Sequence, residues 1–215
     1  MKVAVIGSTG YVGSHLVKEL ANRNYEVVAI ARHPENTPSN ERVNKLQVDI
    51  NDNHQLVSAL KDVDVVISAF NAGWTNPNLY EDFTKGALAI QQAVKDSGVN
   101  RFIVIGGAGS LLIDGNRLVD SPDFPKEIKP GALAAADYLD IIKKETELTW
   151  TMFSPAIEMN SHAGGIRTGK YRTGLDTPVF DNEGRSKLSV EDLAVAIVDE
   201  IENKQFLNKR FTAAY

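Results

Sequence analysis

The sequence predicts an α/β fold: a doubly wound, mostly parallel sheet of the Rossmann type, in one domain spanning residues 1–215. Three observations predict it. Short runs that are apolar on both faces alternate with helix-length segments, as buried parallel strands and their crossovers require. The first run passes at once into a glycine-spaced turn, GSTGYVG, and then into an amphipathic pattern. A chain of 215 residues with 43% hydrophobic content is long enough to bury one full core.

The elements follow in order. KVAVI (2–6) reads as a strand, and the helix beginning near Tyr11 repeats Val12, Leu16 and Leu20 on one face. YEVVAIA (25–31) and NKLQVDI (44–50) are the second and third strands, the third running to Ile50, and HQLVSAL (54–60) is a helix. VDVVISAF (63–70) is the fourth strand, the segment 78–98 a long helix, and VNRFIVIGG (99–107) the fifth strand. ALAAADYLDIIKKE (132–145) is helical, LTWTMFS (148–154) a strand, VEDLAVAIVDEIEN (190–203) a helix and RFTAA (210–214) the last strand. Two irregular intervals, 107–130 and 154–189, exceed the usual connection length. Both follow strands, so they are expected to wall the substrate side of a crevice at the carboxyl ends of the sheet, unless they are ordinary surface loops.

Composition narrows the function. A formal charge of −5 and a pI near 5.4, without a long Lys/Arg run, argue against a nucleic-acid partner. The absence of cysteine excludes disulfides, thiolate metal sites and cysteine nucleophiles, and fits a reducing cytoplasm. His15, His33, His54 and His162 show no metal-ligand spacing, so no metal is expected. No run of apolar residues reaches membrane-spanning length, and the amino terminus carries no signal-like core, which points to a soluble cytoplasmic protein.

The glycines carry the chemistry. A strand ending at Ile6 that turns directly into a helix brings backbone N–H groups and the positive helix end to one point, where a diphosphate fits. In that geometry Gly7 allows the tight turn, Gly10 lets phosphates approach the main chain, and Gly13 lets the helix pack closely. Ser8 and Thr9 add hydroxyl donors, and Tyr11 and Val12 open the helix. After the second strand stand Arg32 and His33, where an NAD enzyme would place a carboxylate for its ribose hydroxyls. A guanidinium there suits a 2′-phosphate, so NADP is expected, with NAD as the alternative. Ala69, Phe70 and Asn71, at the carboxyl end of the fourth strand, are expected beside the ribose and diphosphate.

VIGSTGYVG resembles the amino-terminal motif of the short-chain dehydrogenase/reductase superfamily. It is most similar to the atypical NAD(P)H-binding branch that holds NmrA-like proteins, flavin and biliverdin-type reductases and small epimerase-like oxidoreductases. The resemblance covers almost the whole chain: RFIVIGGAG is similar to that branch's fifth strand and loop, and KLSVEDLAVAIVDEI to its carboxyl-terminal helix. It implies that Asp49 and Ile50 flank the adenine; Asp49 has the second reading of a helix cap. It also implies that Gly106 and Gly107, with Ser154, Pro155 and Ala156, line the nicotinamide. Asn71-Ala72-Gly73 resembles the Asn-Ala-Gly turn of ordinary members but falls too late after Asp64 to inherit its role.

Ordinary members carry a catalytic Tyr and a Lys four residues later. Here Ile142 stands four residues beyond Tyr138, and Lys143, at the fifth, lies about 140° around the helix. Tyr138 is therefore expected to be a half-buried packing residue, and the catalytic residues stay unassigned. A missing proton donor favours an acceptor that spreads charge, such as a flavin or quinone. Ser110, Asn71 and His162 are the polar groups considered for that acceptor, and Trp74, Phe153 and Met159 the stacking ones. The sequence thus points to an NADPH-dependent reductase of a small flat acceptor. The alternative is a non-catalytic NmrA-like NADP sensor; a nucleotide-sugar epimerase or dehydratase fits less well, and the oligomeric state stays open.

Overall fold

The computed structural model describes residues 1–159 and 165–215. Ten strands and five helices are described: β1 (Lys2–Ile6), α1 (Tyr11–Asn22), β2 (Glu26–Ala31), β3 (Val43–Gln47), α2 (Asn53–Ala59), β4 (Val65–Ser68), α3 (Leu79–Ser97), β5 (Arg101–Ile105), β6 (Leu112–Ile113), β7 (Asn116–Arg117), α4 (Lys129–Ile142), β8 (Thr149–Phe153), β9 (Arg172–Gly174), α5 (Val190–Asn203) and β10 (Lys209–Ala214). Eight strands form one sheet in the order β3-β2-β1-β4-β5-β8-β10-β9. All its pairings are parallel except β9 against β10.

Alternation along each strand builds two cores. Ala4 and Ile6 of β1, with Phe102 and Val104 of β5, face the layer that includes Phe83 and Ile90 of α3 and Leu139 and Ile142 of α4. Val3 and Val5, with Ile103 and Ile105, face the layer formed by Leu16 and Leu20 of α1 and Leu193 and Ile197 of α5. Strands buried on both faces must be apolar at every position, which is why they stood out in the sequence.

Chain order reverses at β1, whose neighbours are β2 and β4. In open parallel sheets the crevice beyond the carboxyl ends at such a point is where ligands bind.

The structure revises several boundaries. β3 ends at Gln47, and only the Val48 N–H continues the pairing, donating to the Ala31 carbonyl at 3.1 Å. α4 begins at Lys129 rather than Ala132 because Pro130 occupies its first turn, where a missing N–H costs nothing. The interval 107–130 contains the β6–β7 hairpin, and the interval 154–189 contributes the edge strand β9. Among the described residues no helix is long and apolar enough to cross a membrane, and no group of three or more candidate metal ligands occurs.

Candidate functional site

The turn after β1 is held by its own backbone. Gly7 has φ +83°, and a Cβ there would lie 2.6 Å from the Ala69 carbonyl oxygen. The N–H groups of Gly7 and Ser8 both donate to the Ile30 carbonyl, at 2.9 and 3.2 Å, locking the turn onto the end of β2. A Cβ on Gly13 would sit 2.1 Å from the Gly7 carbonyl oxygen, so α1 reaches the turn only because that position is glycine. Gly10 is the helix N-cap, and no side chain caps it. The first-turn N–H groups of Val12 and Gly13 therefore have no partner within the helix, and they point toward the crevice with the positive helix end. This cradle of backbone donors, which any Cβ would fill, fits a diphosphate.

A cleft opens beside it. Gly7, Thr9 and Gly10 form one wall, Arg32 and Ile50 another, and Ala69, Phe70 and Asn71 a third. Eight of the sequence-predicted residues thus meet in one place. Phe70 is seated by α3: it stacks on Phe83 with centroids 6.0 Å apart, and a Cβ on Gly86 would lie 2.5 Å from its ring. Arg32 is exposed at the rim, and its guanidinium makes no hydrogen bond or ion pair with another described residue. Asn71 accepts from the Gly73 N–H at 2.7 Å, which folds the chain back over the cleft edge.

Other predicted residues stand differently. The Ser8 hydroxyl is turned inward onto Thr37 Oγ1 at 3.0 Å and is fully buried, so Thr9 alone offers a hydroxyl to the cleft. His33 points away and faces Glu35 at 3.9 Å on the surface. Asp49 does not cap α2. That cap is Asp52, whose carboxylate accepts from the Gln55 N–H at 3.0 Å. Asp49 instead accepts from the backbone and side-chain amides of Asn51, at 2.9 and 2.8 Å. Those bonds first, and the Arg32 charge in addition, hold its carboxyl below the usual carboxylate range. Tyr11, exposed at the start of α1, is raised by partial burial and then by the Glu191 carboxylate.

Beyond β5 and β8 the picture changes again. Gly106 and Gly107 are half-exposed at the sheet end, but Ser154, Pro155 and Ala156 are buried. Ser154 pairs hydroxyl to hydroxyl with Ser110 at 2.9 Å, and Ser110 also donates to the Gly107 carbonyl. Neither serine side chain is offered to a ligand. Ser110 is tied in turn to Arg210 of β10, which donates to the Ser110 carbonyl at 2.8 Å and to the Asp176 carboxylate at 3.0 Å. Arg210 thus joins the intervals 107–130 and 154–189 to the sheet.

Phe153 is sealed in the core, edge-to-face with Phe211 at 4.9 Å, so it stacks on no ligand. Met159 packs against the same core, while Trp74 is exposed beside Gly131 of α4. His162 lies outside the described residues. Tyr138 is 1% exposed rather than half-buried. Its hydroxyl donates to Gln91 Oε1 at 2.9 Å, and burial, with Glu145 beyond, pushes its pKa up. Lys143 reaches only surface Asp140, at 3.9 Å.

Sequence reasoning missed Thr37, Gly86 and Arg210. Gly86 had a signal, as a glycine inside a long helical pattern. Thr37 and Arg210 had none, because their partners lie 29 and 34 or more positions away.

Comparisons with known proteins identify the family of the chain. A family model described as NAD(P)H-binding matches residues 7–204. YwnB of Bacillus subtilis is 34% identical over 216 residues, spanning 99% of this chain and 97% of its own. A solved structure from Bacteroides thetaiotaomicron, of a protein proposed to be an epimerase, is 42% identical with a TM-score of 0.91, covering 100% of this chain and 96% of that one. Another from Streptococcus pneumoniae, of a protein proposed to be an NADH-flavin reductase, is 34% identical with a TM-score of 0.85, covering 100% and 99%.

Proposed function

The chain belongs to the NAD(P)H-binding family, and from that premise we propose that it is an NADPH-dependent reductase, cytoplasmic and of the atypical short-chain type, that delivers hydride to a flat conjugated acceptor of the flavin or quinone class. The observation that carries this reading is the placement of Tyr138, sealed in the core on Gln91 and away from Lys143. A carbonyl reductase needs a positioned acid for its alkoxide, whereas a conjugated ring spreads the charge and takes its proton from water. The likeness to the Streptococcus pneumoniae protein supports the acceptor class.

The bound coenzyme supplies the hydride, and the chain supplies position. The Gly7–Gly13 turn and the first N–H groups of α1 hold the diphosphate. Asn71 and Phe70 border the adenosine side, where Asp49 stands as acceptor for the adenine amine. Arg32 takes the 2′-phosphate, since a guanidinium pairs with it in charge-assisted bonds and the position just after β2 carries no carboxylate to claim the ribose hydroxyls. Gly106 and Gly107, with buried Ser154, Pro155 and Ala156 nearby at the sheet end, would line the nicotinamide, and the chain's contribution to rate would be alignment. An epimerase reading of this chain would need a proton shuttle, and the described residues lining the cleft include no carboxylate, imidazole, phenol or amine to serve as one.

Steady-state NADPH oxidation with menadione or free flavin tests the proposal. Acceptor-dependent turnover is the expected result. Saturable NADPH binding without turnover on either acceptor overturns the reductase and leaves a dinucleotide sensor.

A further inference from the structure

The loop between β2 and β3 is anchored in a way that coenzyme binding alone does not require. It runs from Arg32 to Asn40 over the surface, yet Thr37 in its middle is 3% exposed. A buried polar residue in a short surface loop needs a partner. Thr37 has two. Its hydroxyl pairs with Ser8 Oγ at 3.0 Å, inside the turn that cradles the diphosphate. Its carbonyl accepts from Lys45 Nζ of β3, which also donates to Ser39 Oγ at 3.0 Å. The Thr37 N–H completes a tight turn on the Pro34 carbonyl at 3.0 Å.

Lys45 is therefore spent on the loop, and Arg32 is the cation left uncommitted at the rim, with exposed His33 paired to Glu35 beyond it. Arg32 carries a long side chain whose ordering costs free energy on binding, and a mobile backbone beneath it would add to that cost. We infer that Thr37 is a specificity-determining positioning residue: its hydroxyl bond to Ser8 fixes the Arg32 loop to the diphosphate turn, so that discrimination for the 2′-phosphate depends on a residue that touches no part of the coenzyme. The inference rests on the assignment of Arg32 to the 2′-phosphate. NADH does not engage the loop, so loosening it acts on one coenzyme only.

Thr37→Val keeps shape and charge and removes the hydroxyl. Calorimetry with NADPH and NADH on wild type, Thr37→Val and Ser8→Ala reads the result. The preference for NADPH over NADH is expected to fall about fivefold in Thr37→Val, the size of one lost neutral hydrogen bond, with NADH affinity held. Ser8→Ala, which removes the other half of the same bond inside the diphosphate turn, is expected to lower the NADPH-to-NADH affinity ratio by the same factor, whatever common change it makes to both affinities. Equal weakening of both coenzymes, or an unchanged preference in Thr37→Val, overturns this inference alone. A wild-type protein that binds the two coenzymes equally overturns the Arg32 assignment and the inference with it. Melting curves accompany each variant, and if Thr37→Val fails to fold, Ser8→Ala decides by the same criterion.

Discussion

Tyr138 and Gln91 meet hydroxyl to amide oxygen at 2.9 Å, 47 positions apart, in the layer between α3 and α4. Gln91 then donates to the Glu145 carboxylate at 2.7 Å, so the phenol is the inner end of a short polar chain that runs to the surface. The bond locates Tyr138 in the fold's architecture rather than its chemistry. Tyr138→Phe is expected to cost about 1 kcal/mol of stability, because Gln91 Oε1 loses its donor. Coenzyme oxidation should stay within twofold of wild type. A loss of turnover by orders of magnitude in a folded Tyr138→Phe protein would make this phenol the proton donor.

Gly10 and Gly13 separate two kinds of glycine. A Cβ at Gly13 meets the Gly7 carbonyl oxygen at 2.1 Å, so Gly13→Ala forces α1 off the turn and costs about 1–3 kcal/mol as overpacking. A Cβ at Gly10 finds the same oxygen at 3.3 Å, a contact that small shifts relieve, and lines the cleft. Gly10→Ala should therefore melt near wild type yet lose affinity for NADPH and NADH alike. Unaltered binding in Gly10→Ala would move the diphosphate away from this turn.

The strands and the glycine turn were legible because each is written in local sequence: apolar on both faces for the strands, fixed spacing for the turn. The β6–β7 hairpin was legible too, and was overlooked. Asp114 and Gly115 have φ +50° and +80°, the two-residue turn that Asp-Gly favours. β9 carried no such mark: Arg172–Gly174 is three residues long, largely exposed, and a strand only because the β10 edge pairs with it. The site divides along the same line. Residues placed by chain direction, such as Gly7, Ala69 and Phe70, reached the cleft, whereas Ser8, Ser154 and Phe153 were claimed by partners distant in sequence, which alternation alone does not reveal.

Among the described residues lining the cleft, Arg32 is the only basic one. Arg32→Ala should weaken NADPH by about tenfold to a hundredfold, the range for one charge-assisted contact, and leave NADH within twofold. Raising the salt concentration should narrow the wild-type difference between the coenzymes, since the rim is solvent-exposed and such charges are screened. Equal losses for both coenzymes on calorimetry would assign Arg32 to the diphosphate or to the fold.

Glu19 and Arg167 give the interval 154–189 a pH-dependent hold on α1. Buried Glu19 accepts two bonds from the Arg167 guanidinium, at 2.9 and 2.8 Å, and one from Arg23 at 2.8 Å. The Arg167 bonds are the main reason its carboxyl is held below the ordinary value, against the opposing effect of burial. A lowered folded pKa means the unfolded chain takes up the proton first. The contribution is then complete above the unfolded glutamate value of about 4.3 and drains away as pH falls through the lowered folded value. Arg167→Gln removes the larger partner and leaves Arg23 in place, so Glu19 is not stranded. Because Arg167 is half-exposed, the cost at neutral pH should be only about 1 kcal/mol. Denaturant unfolding at pH 7 and at successively lower pH should show that gap narrowing once the pH falls below the unfolded glutamate value, because the unfolded chain then takes up the proton that folded Glu19 resists. A gap that keeps its size across the range would mean that the Arg167 contribution is packing of its aliphatic stem rather than the ion pair.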